Sequence, residues 1–265
     1  MDLTVLRTYG HAPFRVAVVH GGPGARGEMA PVATALSGHR GVLEPLQTAD
    51  SIEGQVNELV AVLCRDGEAP VTLIGHSWGA WLSFIVAARY SKLVAKVIMV
   101  GAGPFEEQYT AKLMDTRLGR LSETERHEVN TLRFPLESQS SSNKIAAFAR
   151  FGELISKADS FDSLEGEGGG IEVQPEAFES VWNEAKEMRH SGELLRLGEN
   201  IRCPVIAVHG DYDSHPADGV RLPLSKILRD FRFELIQECG HTPWLERRAQ
   251  ARFYEIVESE LGEHD

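Results

Sequence analysis

A serine flanked by glycines, Ser77, lies between two apolar segments in the sequence VTLIGHSWGAWLSF, residues 71–84. Gly75 and Gly79 complete the pattern Gly-x-Ser-x-Gly. The residues before the first glycine are typical of a buried strand, and Trp78 begins an apolar segment of helical character. A sharp turn between them would expose the hydroxyl beside a helix N-terminus, where negative charge is stabilised. The pattern predicts a nucleophilic serine, with a serine that only caps the helix as the alternative.

A serine nucleophile needs a base, and the base needs an acid to orient it. The C-terminal third of the chain offers both, in HGDYDSHP (residues 209–216) and in CGHTPW (residues 239–244). Each of these polar groups follows a predicted strand, and catalytic groups collect at the carboxyl ends of parallel strands. Asp211 or Asp213, followed by His241, would complete the chain order serine, acid, histidine.

A glycine-rich turn, HGGPG, occupies residues 20–24 after the first long predicted strand. Its backbone N–H groups are free of side-chain shielding and could face an oxyanion. The alternatives are a plain turn and a phosphate-binding loop. No Gly-Lys-Ser or Gly-Lys-Thr follows, which argues against the phosphate loop.

The candidate nucleophile, acid, base and glycine-rich turn must be positioned by a sheet. Short apolar runs rich in β-branched residues predict buried parallel strands. Gly41–Leu46 is a weaker strand because Pro45 cannot donate to a ladder, and Phe231–Ile236 alternates enough to lie near an edge. The other predicted strands are Phe14–Val19, Val71–Ile74, Val94–Val100 and Val205–Val208.

Helical patterns separate these strands. Asp50 or Ser51 is placed to cap a helix that ends near Gly67. A second helix is predicted over Trp78–Tyr90, and a charged amphipathic helix over Pro243–Leu261 closes the chain. Alternating strands and helices predict an α/β fold with a mostly parallel sheet covered by helices on both faces.

The alternation fails between residues 104 and 200, where the pattern is helical. This segment carries 19 Asp and Glu residues against 11 Lys and Arg residues, and low-complexity sequence interrupts it at residues 138–142 and 166–170. We therefore expect a core formed by residues 1–103 and 201–265, with residues 104–200 inserted as a helical cap.

Composition excludes several functional classes. The formal net charge of −12 over 265 residues repels nucleic acid and anionic membranes. Three dispersed cysteines indicate neither a disulfide framework nor a thiolate metal site, and no clustered histidine motif predicts a metal. No secretory leader pattern or membrane-spanning apolar stretch is present, so a cytoplasmic protein is expected.

Taken together, HGGPG, GHSWGA, HGDYDSHP and CGHTPW resemble the α/β-hydrolase family, and are most similar to its proline iminopeptidase-like branch. The resemblance implies Ser77 as nucleophile and His241 as general base and then acid. The family's acid follows the pattern G-x-x-D-x-x-P, which Asp213 matches, with Asp211 held in reserve. The resemblance also implies an oxyanion hole formed by the backbone N–H groups of Gly22 and Trp78.

The sequence departs from the family in two places. The Arg-Gly loop of many relatives is absent from residues 41–51, and the Gly-Gly-Ser of the iminopeptidase branch is Gly-His-Ser here. The expected function is a cofactor-free serine hydrolase acting on a small-molecule ester or amide through an acyl-enzyme. The alternatives are an iminopeptidase-type aminopeptidase, whose acidic cap would bind a substrate amine, and a non-catalytic binding protein. The oligomeric state is left open.

The other histidines next to the motifs are expected to have structural roles. His20, His76 and His209 each end a predicted strand beside a glycine and should hydrogen-bond to the backbone. His215 lies close to Asp213 in the sequence and is a candidate partner for that carboxylate.

Overall fold

Seven strands form one sheet in the computed structural model, which describes residues 6–133, 141–164 and 172–262. The predicted low-complexity stretch at residues 166–170, and residues 138–140 of the other, lie outside the described residues. The spatial order is β1-β4-β2-β5-β6-β8-β9. The strands are β1 (Leu6–Tyr9), β2 (Phe14–Val19), β4 (Gly41–Pro45), β5 (Val71–His76), β6 (Val94–Val100), β8 (Val205–Gly210) and β9 (Phe231–Ile236).

All neighbouring strands pair in parallel except β1, which pairs antiparallel to β4. The predicted strands are confirmed, with β5 and β8 each two residues longer than expected. Pro45 occupies the last position of β4, opposite Leu6, where its missing N–H costs the ladder little. β9 lies at the sheet edge as predicted, whereas the short strand β1 was not predicted.

Helices cover both faces of the sheet. Alternate residues of β2 divide between two cores, one on each face of the sheet: Ala17 and Val19 belong to one core, and Val16 and Val18 to the other. Among the described residues, no helix combines the length and apolar composition needed to cross a membrane. The helices on the sheet are α1 (Ala30–Leu36), α2 (Ile52–Asp66), α3 (Trp78–Arg89), α9 (Asp218–Ile227) and α10 (Gln250–Leu261).

Two helix predictions meet different outcomes. Ser51, and not Asp50, caps α2, because its Oγ accepts the Gly54 N–H at 3.2 Å. The predicted closing helix over Pro243–Leu261 is wrong in its first part, where a 3₁₀ turn at Pro243–Leu245 precedes α10. Glu246 explains the break, since its buried carboxylate accepts three backbone N–H groups from other loops.

The segment between β6 and β8, residues 104–200, is helical where it is described. Its helices are α4 (Leu113–Gly119), α5 (Glu123–Arg133), α6 (Ser141–Asp159), α7 (Pro175–His190) and α8 (Glu193–Arg196). Leu121, Val129, Leu154 and Ala158 form a small core within it. A two-residue strand in this segment, β7 (Glu172–Val173), pairs with β3 (Ala25–Arg26) just after the glycine-rich turn. We call this segment the proposed cap.

Candidate active site

Ser77 forms the turn between β5 and α3 with φ 51° and ψ −111°, a conformation that non-glycine residues rarely adopt. Such strain persists only where the surroundings enforce it, and it is found at functional turns. The neighbours His76 and Trp78 are buried, whereas Ser77 is partly exposed. The turn therefore presents the hydroxyl-bearing residue to solvent at the carboxyl edge of the sheet.

The two flanking glycines permit this turn by close backbone contact. A Cβ atom built on Gly75 would lie 2.2 Å from the carbonyl oxygen of Gly79. A Cβ built on Gly79 would lie 2.2 Å from the carbonyl oxygen of Val19 in β2. Both distances are far inside van der Waals contact, so only glycine fits either position. The Gly-x-Ser-x-Gly pattern is thus explained by backbone packing of the elbow.

Asp213 and His241 are paired. Asp213 follows β8 and is buried, and its Oδ2 accepts a hydrogen bond from Nδ1 of His241 at 2.6 Å. His241 follows β9 and remains 14% exposed at its side chain. The reserve candidate, Asp211, instead accepts the backbone N–H of Cys239 at 3.2 Å, which supports the loop that carries His241.

Two further histidines surround the same carboxylate. The other oxygen, Oδ1 of Asp213, accepts both the backbone N–H and Nδ1–H of His215, each at 2.9 Å. His209 Nε2 lies 3.6 Å from Oδ2 and 2.8 Å from the carbonyl oxygen of His215. The prediction that His215 contacts Asp213 is confirmed, as is the backbone contact of His209.

The cluster lowers the pKa values of Asp213 and His215 and raises the pKa of His241. Burial alone would raise the pKa of Asp213, but the charges of His241, His215 and His209 hold it well below its ordinary value. Burial lowers the pKa of His215 to about 4 against the opposing effect of Asp213. Burial also opposes the charged form of His241, yet the Asp213 carboxylate raises the pKa of His241 overall. At neutral pH the structure therefore holds an ionised Asp213 between a neutral His215 and a more basic His241.

His241 is held beside the elbow. Its carbonyl oxygen lies 3.1 Å from Nε2 of His76, and the two imidazole rings are 4.7 Å apart. The Ser77 N–H donates to the carbonyl of Val100 at 2.9 Å, and a Cβ built on the next residue, Gly101, would lie 3.0 Å from Nδ1 of His241. The structure thus brings Ser77, Asp213 and His241 to one edge of the sheet.

A carboxylate that the sequence analysis missed joins this site. Oε2 of Glu28 accepts the Gly21 N–H at 2.6 Å and lies 3.0 Å from Nδ1 of His76. His76 was predicted to hydrogen-bond to the backbone, which its Nε2 does, but its Nδ1 faces Glu28. Burial raises the pKa of Glu28, whereas the charge and hydrogen bond of His76 and the Gly21 N–H lower it to about 2.

The two residues predicted to form an oxyanion hole lie beside the elbow. Gly22 adopts φ 31° in a turn closed by the Ala25 N–H, which donates to its carbonyl at 2.8 Å. Trp78 is the first residue of α3, so its N–H has no acceptor within the helix. The preceding Gly21 lies close to Ser77, since a Cβ built on Gly21 would lie 3.2 Å from Cβ of Ser77.

One possible ligand atom from each of Asp213, His215 and His241 lies within 4.8 Å of the other two, and the Nδ1 atoms of both histidines adjoin the Asp213 carboxylate. This spacing would suit a metal ion, but both nitrogens are already hydrogen-bonded to carboxylate oxygens. A metal bound through these Nδ1 atoms would have to displace both hydrogen bonds.

A sequence profile of the alpha/beta hydrolase family matches residues 9–255, nearly the whole chain. The chain belongs to this family. No curated protein sequence matches it at a significant level.

Solved structures share the fold of this hydrolase at low sequence identity. VinJ is 17% identical, with a TM-score of 0.68 over 97% of this chain and 93% of that one. A proline iminopeptidase from Mycobacterium smegmatis is 16% identical, with a TM-score of 0.62 over 97% and 93%. A meta-cleavage product hydrolase from Pseudomonas fluorescens IP01 is 19% identical, with a TM-score of 0.65 over 98% and 94%. At this level of sequence identity, the similarities show a shared fold.

Two surface cavities of the hydrolase lie away from Ser77. The larger, of about 620 Å³, follows α7 and α8 and is lined by residues such as Glu184, Glu187 and Glu193. The smaller, of about 130 Å³, lies beside the end of β4, between Gln47 and Glu58. Neither is lined by a residue of the Ser77, Asp213 and His241 cluster.

Proposed function

We propose that this alpha/beta hydrolase is a serine hydrolase that cleaves small esters or amides through an acyl-enzyme. The observation that carries the proposal is the 2.6 Å hydrogen bond from His241 Nδ1 to the buried Asp213, on an imidazole held beside the strained Ser77 turn. This bond fixes the tautomer in which Nε2 of His241 can accept a proton. This acid–base pair beside the Ser77 turn supports Ser77 as a nucleophile whose hydroxyl His241 activates.

In the proposed reaction, Oγ of Ser77 attacks the substrate carbonyl carbon while Nε2 of His241 takes the hydroxyl proton. Asp213 stabilises the resulting imidazolium, which is consistent with the raised pKa of His241. The tetrahedral intermediate then collapses, and His241 gives the proton to the leaving alcohol or amine. Water, activated by the same histidine, hydrolyses the acyl-enzyme and releases the acid.

The oxyanion of each tetrahedral intermediate is proposed to bind the N–H groups of Gly22 and Trp78. Trp78 offers a donor at a helix N-terminus, where the helix dipole favours negative charge. The Glu28 carboxylate supports the glycine-rich turn by accepting the Gly21 N–H and not the Gly22 N–H. The adjacent Gly22 N–H is the donor proposed to face the substrate.

Aromatic side chains of the proposed cap favour an apolar acyl group. The Phe178 ring has carbons 3.9 and 4.0 Å from a Cβ built on Gly22, so it lies against the proposed oxyanion turn. Its ring centroid is 4.9 Å from that of Phe148 and 6.2 Å from that of Trp182. These rings offer an apolar surface next to the carbonyl of a bound substrate.

The iminopeptidase alternative needs a free carboxylate that can bind a substrate amine. Among the described residues of the proposed cap, Asp159 is the one buried carboxylate, and Arg117 already pairs with it at 2.6 Å. The other Asp and Glu side chains that the structure describes in this segment are partly or fully exposed. These observations favour an ester or simple amide over an aminoacyl substrate.

The test compares wild type with Ser77→Ala, using a fluorophosphonate probe and a series of p-nitrophenyl esters and aminoacyl p-nitroanilides. We expect labelling and ester turnover by wild type only. Labelling that persists in Ser77→Ala would refute the assignment of the nucleophile. An unlabelled wild type would favour the non-catalytic binding protein, and turnover of the prolyl anilide alone would favour the aminopeptidase.

A further inference from the structure

Asp159 is a buried carboxylate that the proposed reaction does not use. It is the last residue of α6, and its side chain is 5% exposed. Arg117 of α4 binds it in a two-pronged manner, with Nε 3.0 Å from both carboxylate oxygens and Nη2 2.6 Å from Oδ2. Charges buried this deeply are costly to desolvate, so a pair retained here calls for a specific role.

The contacts of Asp159 reach both loops that carry the proposed acid and base. Its Oδ1 accepts a short hydrogen bond from the hydroxyl of Ser214, the residue after Asp213. Its backbone carbonyl accepts the N–H of His241 at 2.8 Å. One residue of the proposed cap thus fixes the loop after β8 and the loop after β9 relative to each other.

We propose that Asp159 and Arg117 are positioning residues of the active site, which hold the Asp213 and His241 loops in register and balance the charge that faces the His241 imidazole. The inference rests on the proposed serine-hydrolase function. It assigns to the proposed cap a direct part in aligning the base, beyond covering the substrate. Neither residue is required to touch the reacting atoms.

The charge balance depends on every group that faces His241. Asp213 hydrogen-bonds its Nδ1, and the rings of His215 and His76 lie 4.7 Å away on the loop after β8 and on the elbow, with Glu28 behind His76. From the proposed cap, Asp159 raises the pKa of His241 and Arg117 lowers it. The two members of the pair therefore act in opposite directions on the proposed base.

Because the two charges act in opposite directions on the pKa of His241, the two single variants should shift the pH profile in opposite directions. Asp159→Asn leaves the Arg117 charge unpaired, so the acid limb of the kcat/KM–pH profile should move to lower pH. Arg117→Gln leaves the Asp159 charge unpaired, so the limb should move to higher pH. The double variant removes both charges, and its limb should return towards that of wild type.

The positioning role predicts a fall in kcat as well. We expect kcat to drop about ten- to a hundredfold in Asp159→Asn, with a smaller change in KM, because misplaced catalytic groups slow the chemical step. Ser214→Ala removes only the hydroxyl contact and keeps the ion pair. It should lower kcat without moving the acid limb, and it keeps the test possible if Asp159→Asn does not fold.

The matched control is Glu128→Gln, which breaks the exposed pair between α5 and α6 in which Arg150 Nε lies 2.8 Å from Oε1 of Glu128. It should leave both kcat and the pH profile unchanged. Shifts in the same direction for Asp159→Asn and Arg117→Gln, or no shift in either, would overturn the inference. Absence of fluorophosphonate labelling in the wild type would instead overturn the proposed function on which this inference rests.

Discussion

His76 Nδ1 lies 3.0 Å from Oε2 of Glu28, which pairs the histidine next to Ser77 with a carboxylate that follows the glycine-rich turn. The other ring nitrogen, Nε2, lies 3.1 Å from the carbonyl oxygen of His241. Both ring nitrogens of His76 therefore face acceptor oxygens. The pair ties together the elbow, the Gly21 backbone and the loop of the proposed base.

Glu28→Gln should therefore destabilise the protein in a pH-dependent manner. The pKa of Glu28 falls from its ordinary 4.5 to about 2 on folding, so its contribution is present above about pH 4.5 and is lost as the pH falls towards 2. The difference corresponds to a loss of about 3 kcal/mol at pH 7. Urea unfolding at pH 7 and at pH 3 measures it, and the gap between variant and wild type should narrow at the lower pH.

Glu53→Gln is the control, since Glu53 forms an exposed ion pair with Arg89 on the protein surface. Its unfolding free energy should match that of wild type within about 1 kcal/mol. An equal loss of stability for Glu28→Gln at both pH values would show that the carboxylate is not held ionised by His76.

The contact with Glu28 also marks the limit of what the sequence could predict. Apolar runs and glycines placed six strands, the elbow turn and the order of the catalytic candidates, because each depends on local periodicity or on one backbone contact. Glu28 lies 48 positions before His76 and carries no motif. Pairing between such distant residues depends on the packed fold.

Other differences have the same physical origin. The helix over Pro243–Leu261 had a continuous amphipathic pattern, yet Glu246 interrupts it by binding the N–H groups of Gly240, Phe161 and Asp162. These partners come from the proposed cap and from the His241 loop. Tertiary hydrogen bonds to one carboxylate thus outweigh local helical preference at this position.

Asp213→Asn and Asp211→Asn should have very different effects on catalysis. Asp213 fixes the Nδ1–H tautomer of His241, so its amide variant should lower kcat by about 10⁴-fold. Asp211 accepts a backbone N–H and is exposed, so its variant should lose no more than a few-fold. Ester turnover at saturating substrate measures both. A comparable loss in the two variants would contradict the choice of Asp213 as the acid.

The pH dependence of kcat/KM should report His241. The Asp213 carboxylate raises the pKa of His241, and catalysis needs the neutral imidazole, so activity should rise with pH through a limb centred above 6.5. His215 should add no limb near neutrality, because burial lowers the pKa of His215 to about 4. Initial rates between pH 5 and 9 test this, and a limb centred below 6.5 would contradict the role of His241 as base.

Phe178→Ala should change the acyl preference of the enzyme. The Phe178 ring lies against Gly22, so truncating it opens space beside the carbonyl of a bound ester. We expect kcat/KM for branched or aromatic acyl groups to rise about tenfold relative to acetyl, the scale on which apolar pockets discriminate. Phe151→Ala is the control, since Phe151 packs on the small core of the proposed cap and should alter stability without altering selectivity. An unchanged acyl preference in Phe178→Ala would contradict a role for Phe178 in the acyl site.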